Sequence, residues 1–134
     1  MLNSKVIIRL PALIIAGGIW VLSSQSTLPQ PKGILGFDKF QHLVAYLALA
    51  AAVGGWISSA FWQSRPFLAF LAAAVLASIY GVVDEIHQYF TPARDCDVWD
   101  WVADTLGAVF GAAVMMRVNS CLLNKIKDLL GEAA

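Results

Sequence analysis

Four stretches of this chain are too apolar and too long for a water-soluble domain of its size: Val6 to Leu22, Leu43 to Phe61, Pro66 to Val83 and Val98 to Met116. A helix spans a bilayer with roughly 17–25 mostly apolar residues, so each stretch sits near or just above the lower limit. Charged residues make up only 13% of the chain, well below the soluble norm. The runs are rich in Ala, Leu and Val without period-two alternation, and four strands cannot close a barrel, which excludes strands. The expected fold is therefore all-α: an integral membrane four-helix bundle with a C-terminal amphipathic tail. It forms a single domain over 1–134, with spans at about 6–22, 43–61, 66–83 and 98–116.

Against this apolar background, the stretch from Ser78 to Gly111 holds Asp84, Glu85, Asp95, Asp97, Asp100 and Asp104, six of the nine acids. Ionisable groups beside or inside apolar spans are costly unless paired, hydrated or used, so the cluster points to a functional site. The plainer reading is a capped, solvated loop between two helices. Recurrence of the acids at helical spacing favours the site.

Taken in order, the first apolar run follows two positive charges and resembles a secretory signal, yet nothing like a soluble domain succeeds it. We read it as a retained span with Arg9 near its cytoplasmic end. Two prolines and two glycines make residues 23–37 a connection. Asp38 is expected to cap the second helix, and Asp38, His42 and Tyr46 then fall at i, i+4 and i+8 on one face, with Lys39 beside them. Singly, His42 reads as a headgroup-level histidine and Tyr46 as an interfacial anchor; aligned with Asp38 they read as a polar seam.

The turn Ser58 to Arg65 forces antiparallel neighbours, with Trp56, Phe61 and Trp62 as an aromatic belt. Pro66 suits a first helical turn, and that helix is expected to run as far as Phe90, ahead of Thr91-Pro92. Its last turns carry Tyr80, Asp84 and Gln88 on one stripe, with Glu85 and His87 on either side. Pro92 to Cys96 then turns the chain and presents Arg94. Asp97 is expected to cap the last span, with Asp100, Asp104, Gly107 and Gly111 along one face, where the glycines permit close helix approach. From Arg117 onward, apolar residues opposite Lys125 and Lys127 suggest a surface helix. Cys96 and Cys121 flank the last span and are expected to remain free thiols on opposite sides.

Four spans put Lys5, Arg9, Arg65, Arg117, Lys125 and Lys127 on one side and Lys32, Lys39 and Arg94 on the other. The positive-inside rule then places both termini in the cytoplasm and the polar motifs at the outer face of the cell membrane. The acids gathered there outnumber Lys39, Arg94 and the histidines, so some are protonated or they bind a cation. The apolar spans make the lipid bilayer a partner, and zero net charge without any charge block argues against nucleic acid.

The combination Asp38-Lys39-x-x-His42-x-x-x-Tyr46, Tyr80-Gly81-x-x-x-Glu85-x-x-Gln88-x-Phe90-x-Pro92-x-Arg94 and Asp100-x-x-x-x-x-x-Gly107 resembles the VanZ-like membrane proteins, over about Ser23 to Gly111. By that likeness Asp38, Lys39, His42, Tyr46, Glu85, Gln88, Arg94 and Asp100 are the motif positions. The family pattern often has Asn where this chain has Asp104, and Asp95 and Asp97 are additional acids. The family takes its name from a member associated with resistance to the glycopeptide antibiotic teicoplanin.

Three functions compete. The first is a cell-envelope protein that binds or modulates a lipid-linked precursor or lipoglycopeptide through Asp38, Lys39, His42, Tyr46, Asp84, Glu85, Gln88, Arg94, Asp100 and Asp104, with Lys39 and Arg94 meeting its phosphate or carboxylate. The second is an integral-membrane hydrolase or transferase on a lipid-linked substrate, with Glu85, Asp100 and His42 as catalytic candidates. No nucleophile motif accompanies them, which ranks it below the first. No cofactor and no metal ligand is assigned, although carboxylates favour Mg²⁺ or Ca²⁺ over zinc. The third is a structural seam that specifies helix packing or a homo-oligomer.

Overall fold

The computed structural model describes residues 4–26 and 36–131. The described chain is all-helical, as expected: α1 (Ser4–Ser23), α2 (Phe37–Gly54), α3 (Ser59–Ser64), α4 (Pro66–Tyr89) and α5 (Val98–Gly131). Most of the first connection, with Lys32, lies outside the described residues, as do the side chains of Lys5 and Lys127. Two helical stretches, Pro66–Tyr89 and Val98–Leu122, are long and apolar enough to cross a membrane; the apolar part of α1, Ile7–Ser23, is shorter.

The second apolar run departs from expectation because it is not one helix. Gly54-Gly55 ends α2, and Trp56 and Ile57 donate to the carbonyls of Val53 and Gly54 in a tight turn. Ser58 then caps the short α3, its side chain accepting the Phe61 N–H. Trp62 is 3% exposed and its indole N–H donates to the Gly54 carbonyl at 3.0 Å, a second donor on the oxygen that also takes the Ile57 N–H. Trp62 is thus a buried plug and not part of an aromatic belt, whereas Trp56 and Phe61 are exposed.

Helix starts follow local chemistry. Pro66 opens α4, which stops before Thr91-Pro92. Asp97 caps α5 by accepting the Trp99 N–H at 2.8 Å. Asp38 does not cap α2. Gly36, at φ 75°, holds the cap position, and Asp38 lies one residue inside the helix with its carboxylate on Lys39. The expected C-terminal tail is not a separate element either, because no glycine or proline interrupts 112–130 and α5 continues to Gly131.

Helix α5 packs on α2 and α4, while α1 lies against α2 and α4. The seams are lined by small residues: Ala50, Ala69, Ala73, Ala108 and Ala112 are fully buried. At Gly107 and Gly111 a Cβ would fall on the carbonyl oxygens of Leu43 and Leu47, so α2 and α5 meet backbone to backbone. Large apolar side chains such as Ile14, Phe67, Ile79 and Phe110 point outward. The interior instead holds the polar groups Asp84, Glu85, Gln88, Asp100 and Asp104.

Candidate functional site

The close approach of α2 to α5 brings the start of α2 against the first turns of α5, and α4 ends alongside. Lys39 is the hub of this junction. Its ammonium lies 3.0 Å from Asp38, 2.5 Å from Asp97 and 2.7 Å from Asp100. Burial pulls the Lys39 pKa down, but hydrogen bonds to Asp100, Asp97 and Asp38 outweigh it and the net shift is upward. The Lys39 hydrogen bond holds Asp38 below its ordinary value. Asp97 is lowered by Lys39 and then by the Trp99 N–H.

One turn further along α2, His42 Nδ1 is 2.9 Å from Asp104 Oδ1 on α5, and its Nε2 is 3.9 Å from Asp100 Oδ2. Glu85 of α4 accepts the Asp97 N–H at 2.8 Å, which ties the end of α4 to the cap of α5. Asp84 accepts from Ser23 Oγ at 2.9 Å and from Gln88 Nε2 at 3.1 Å. Tyr46 is 1% exposed, yet its hydroxyl has no hydrogen-bond partner among the described residues; the same holds for Asp84 Oδ1, Asp104 Oδ2 and the buried Arg94 Nε. Such groups are costly to bury unpaired, so their concentration in one region marks a place prepared for something else.

A cavity of about 320 Å³ opens among these groups, lined by Asp38, Lys39, His42, Tyr46, Asp84, Gln88, Arg94 and Asp100 from the expected set. The sequence pattern therefore brings eight of its ten ligand-binding candidates to one wall. Glu85 and Asp104 are not on that wall; they lie behind it, orienting the Asp97 backbone and His42. A second, open and almost wholly apolar groove of about 610 Å³ runs between α2 and α5, lined by Phe40, Leu43, Trp99, Val102, Ala103 and Leu106. Lys39 borders both spaces.

The VanZ/LLP1 family model matches residues 3–122 of the chain. The chain belongs to the VanZ/LLP1 family. No curated protein and no solved structure matches it. In this VanZ-family chain the motif residues are drawn from α2, α4, the turn after α4 and α5, and they converge only because the glycines of α5 let α2 come close.

Sequence reasoning missed the part played by α1. Ile19, Leu22 and Ser23 line the cavity, and Trp20 stacks on His87 with ring centroids 3.9 Å apart, while Ser24 Oγ pairs with His87 Nε2 at 3.0 Å. The available signal was the Ser23-Ser24 pair at the end of an apolar helix. Tyr80 keeps to its stripe with Asp84, since its hydroxyl donates to the Ala16 carbonyl of α1 at 2.7 Å just as Asp84 accepts from Ser23 of α1. Cys96 and Cys121 are free and exposed; burial and then the Glu85 carboxylate push the Cys96 thiol up, which makes it a poor nucleophile.

Proposed function

We propose that this VanZ-family chain is a multi-pass protein of the cell membrane, a four-helix bundle with both termini in the cytoplasm. Its cavity faces the outer leaflet and takes the headgroup of an amphipathic envelope ligand, lipid-linked or glycopeptide in type. Outward-facing Ile, Leu, Val and Phe over small-residue seams support the membrane setting, because lipid solvates such a surface and water does not. The observation that carries the ligand reading is the meeting of a polar cavity and an apolar groove at Lys39. A ligand with a hydrophilic head and an acyl or prenyl chain fills both at once.

Lys39 is committed to three carboxylates and is not free to meet an anion. That role falls to Arg94, whose buried Nε has a donor to spare. The acids around it suit hydroxyl and amine groups of a sugar or peptide head. The reading is tested by copurifying lipids with the protein in chelator and identifying them by mass spectrometry. A discrete lipid-linked species is expected with wild type and Arg94→Lys, and its loss with Arg94→Ala. An identical lipid profile in all three sinks the proposal.

A second reading, a hydrolase or transferase on such a ligand, draws on the His42–Asp104 hydrogen bond with Asp100 opposite. A histidine oriented on one nitrogen and open on the other is a fit general base. Turnover of the copurified species, lost in His42→Gln, is the result that would raise it above binding alone.

A further inference from the structure

Three side chains from three different helices converge beside the cavity: His42 of α2, Glu85 of α4 and Asp100 of α5, with one potential ligand atom of each lying within 4.8 Å of the other two. We propose that they form a binding site for a divalent first-row metal ion, Mn²⁺ or Zn²⁺, beside the cavity and independent of whether the cavity is filled.

The geometry of His42 is the first support. At 3.9 Å, Nε2 and Asp100 Oδ2 are too far apart for a hydrogen bond, which closes at about 2.7–3.2 Å. Two atoms each bonded to one ion at ~2.0–2.2 Å are separated by up to ~4.4 Å, so a closure of less than ~1 Å brings the three groups onto a common ion. Asp104 holds Nδ1 at 2.9 Å from the other side. A carboxylate on one ring nitrogen is the usual way a protein presents the other nitrogen to a metal, with tautomer and ring plane fixed. Glu85 is held in the same manner by the Asp97 N–H.

Charge is the second support. Asp84, Glu85, Asp100 and Asp104 are all 8% exposed or less. Among the described residues the ammonium nearby is that of Lys39, whose single charge is divided among Asp38, Asp97 and Asp100. A dication relieves the excess where the carboxylates are densest.

A third, independent observation points to a ligand. Tyr46 follows His42 by one helical turn on the same face, lines the cavity and is 1% exposed, and its hydroxyl has no hydrogen-bond partner among the described residues. A water carried by the ion supplies the partner that this hydroxyl lacks. One imidazole and two carboxylates favour Mn²⁺ or Zn²⁺ over Mg²⁺ and Ca²⁺, which take oxygen alone.

The test uses the full chain in detergent, stripped of metal and titrated with Mn²⁺, read by electron paramagnetic resonance. One saturable Mn²⁺ per chain is expected, displaced by Zn²⁺, with affinity falling more than about tenfold in Glu85→Gln and Asp100→Asn and unchanged in Asp95→Asn. Pulsed spectra of wild type alone are expected to show modulation from a single imidazole nitrogen, a readout that needs no variant to fold. Absence of saturable binding, absence of that nitrogen signal, or equal affinity in folded Glu85→Gln and Asp100→Asn overturns the site. Because lipid copurification is done in chelator, either proposal can fail without the other.

Discussion

His42 of α2 and Asp104 of α5 face each other at 2.9 Å, and Asp104 is completely buried. The pair lies one turn of α5 before Gly107, where α5 meets the α2 backbone at Leu43. It therefore joins the packing of the bundle to the chemistry of the cavity: the same contact that pins two helices also sets the direction of the imidazole.

Replacing Asp104 separates those roles. Asp104→Asn keeps an acceptor for His42 Nδ1 and removes a buried charge, so melting in detergent is expected to change by less than about 1 kcal/mol. Asp104→Leu strands the His42 nitrogen and costs about 1–3 kcal/mol. Equal melting of the two variants would show that the hydrogen bond contributes nothing to packing.

Close approach of α2 and α5 predicts a sharp contrast among glycines. A Cβ at Gly107 or Gly111 meets backbone oxygen, which cannot rotate away, so Gly107→Val is expected to cost at least about 1–3 kcal/mol through helix separation. Gly17 of α1 has nothing within 4 Å of a Cβ among the described residues, so Gly17→Ala is expected to be neutral or to stabilise by up to about 1 kcal/mol through helix propensity. Denaturation of the three proteins in parallel decides it. A tolerated Gly107→Val would refute the packing.

The Ser23 hydroxyl links α1 to α4 by donating to buried Asp84, and the carboxylate then depends on Gln88 alone if that donor is lost. Ser23→Ala is expected to destabilise by about 1 kcal/mol and to speed proteolysis between α1 and α2, where the chain follows directly. Ser120→Ala, on an exposed residue whose hydroxyl bonds only within its own helix, is the comparison. Indistinguishable cleavage rates would leave Ser23 without a structural role.

Much of this arrangement was legible in the residues and some was not. The bounds of α4 and the cap of α5 could be read because Pro66, Thr91-Pro92 and Asp97 act through local sterics and hydrogen bonds. The polar set was legible because burying an acid requires a reason. The end of α2 at Gly54 was hidden, since a Gly-Gly pair in an apolar run is compatible with a continuing membrane helix. Trp62 looked like an interfacial residue because nothing in one dimension reveals that the turn brings a carbonyl eight residues earlier within reach of its indole. Lys39 looked like an anion receptor because its three carboxylates come from both α2 and the start of α5, and only the folded chain shows it already occupied.

That occupancy makes the Lys39 cluster a test of sign. Asp38 and Asp97 have folded-state pKa values below the ordinary 3.8, so their contribution is complete above that value and is lost as pH falls through the lowered ones. Lys39 is shifted above 10.5, so its contribution is complete below that value and is lost as pH rises through the higher one. Between the two limits the cluster adds no pH dependence. In Lys39→Met the three carboxylates face one another without a cation, and acid relieves their repulsion by protonating them. Melting from neutral pH into acid is therefore expected to fall for wild type below the ordinary carboxylate range and to rise, or fall less, for Lys39→Met. Parallel acid profiles for the two proteins would mean that Lys39 is not the charge that holds the starts of α2 and α5 together.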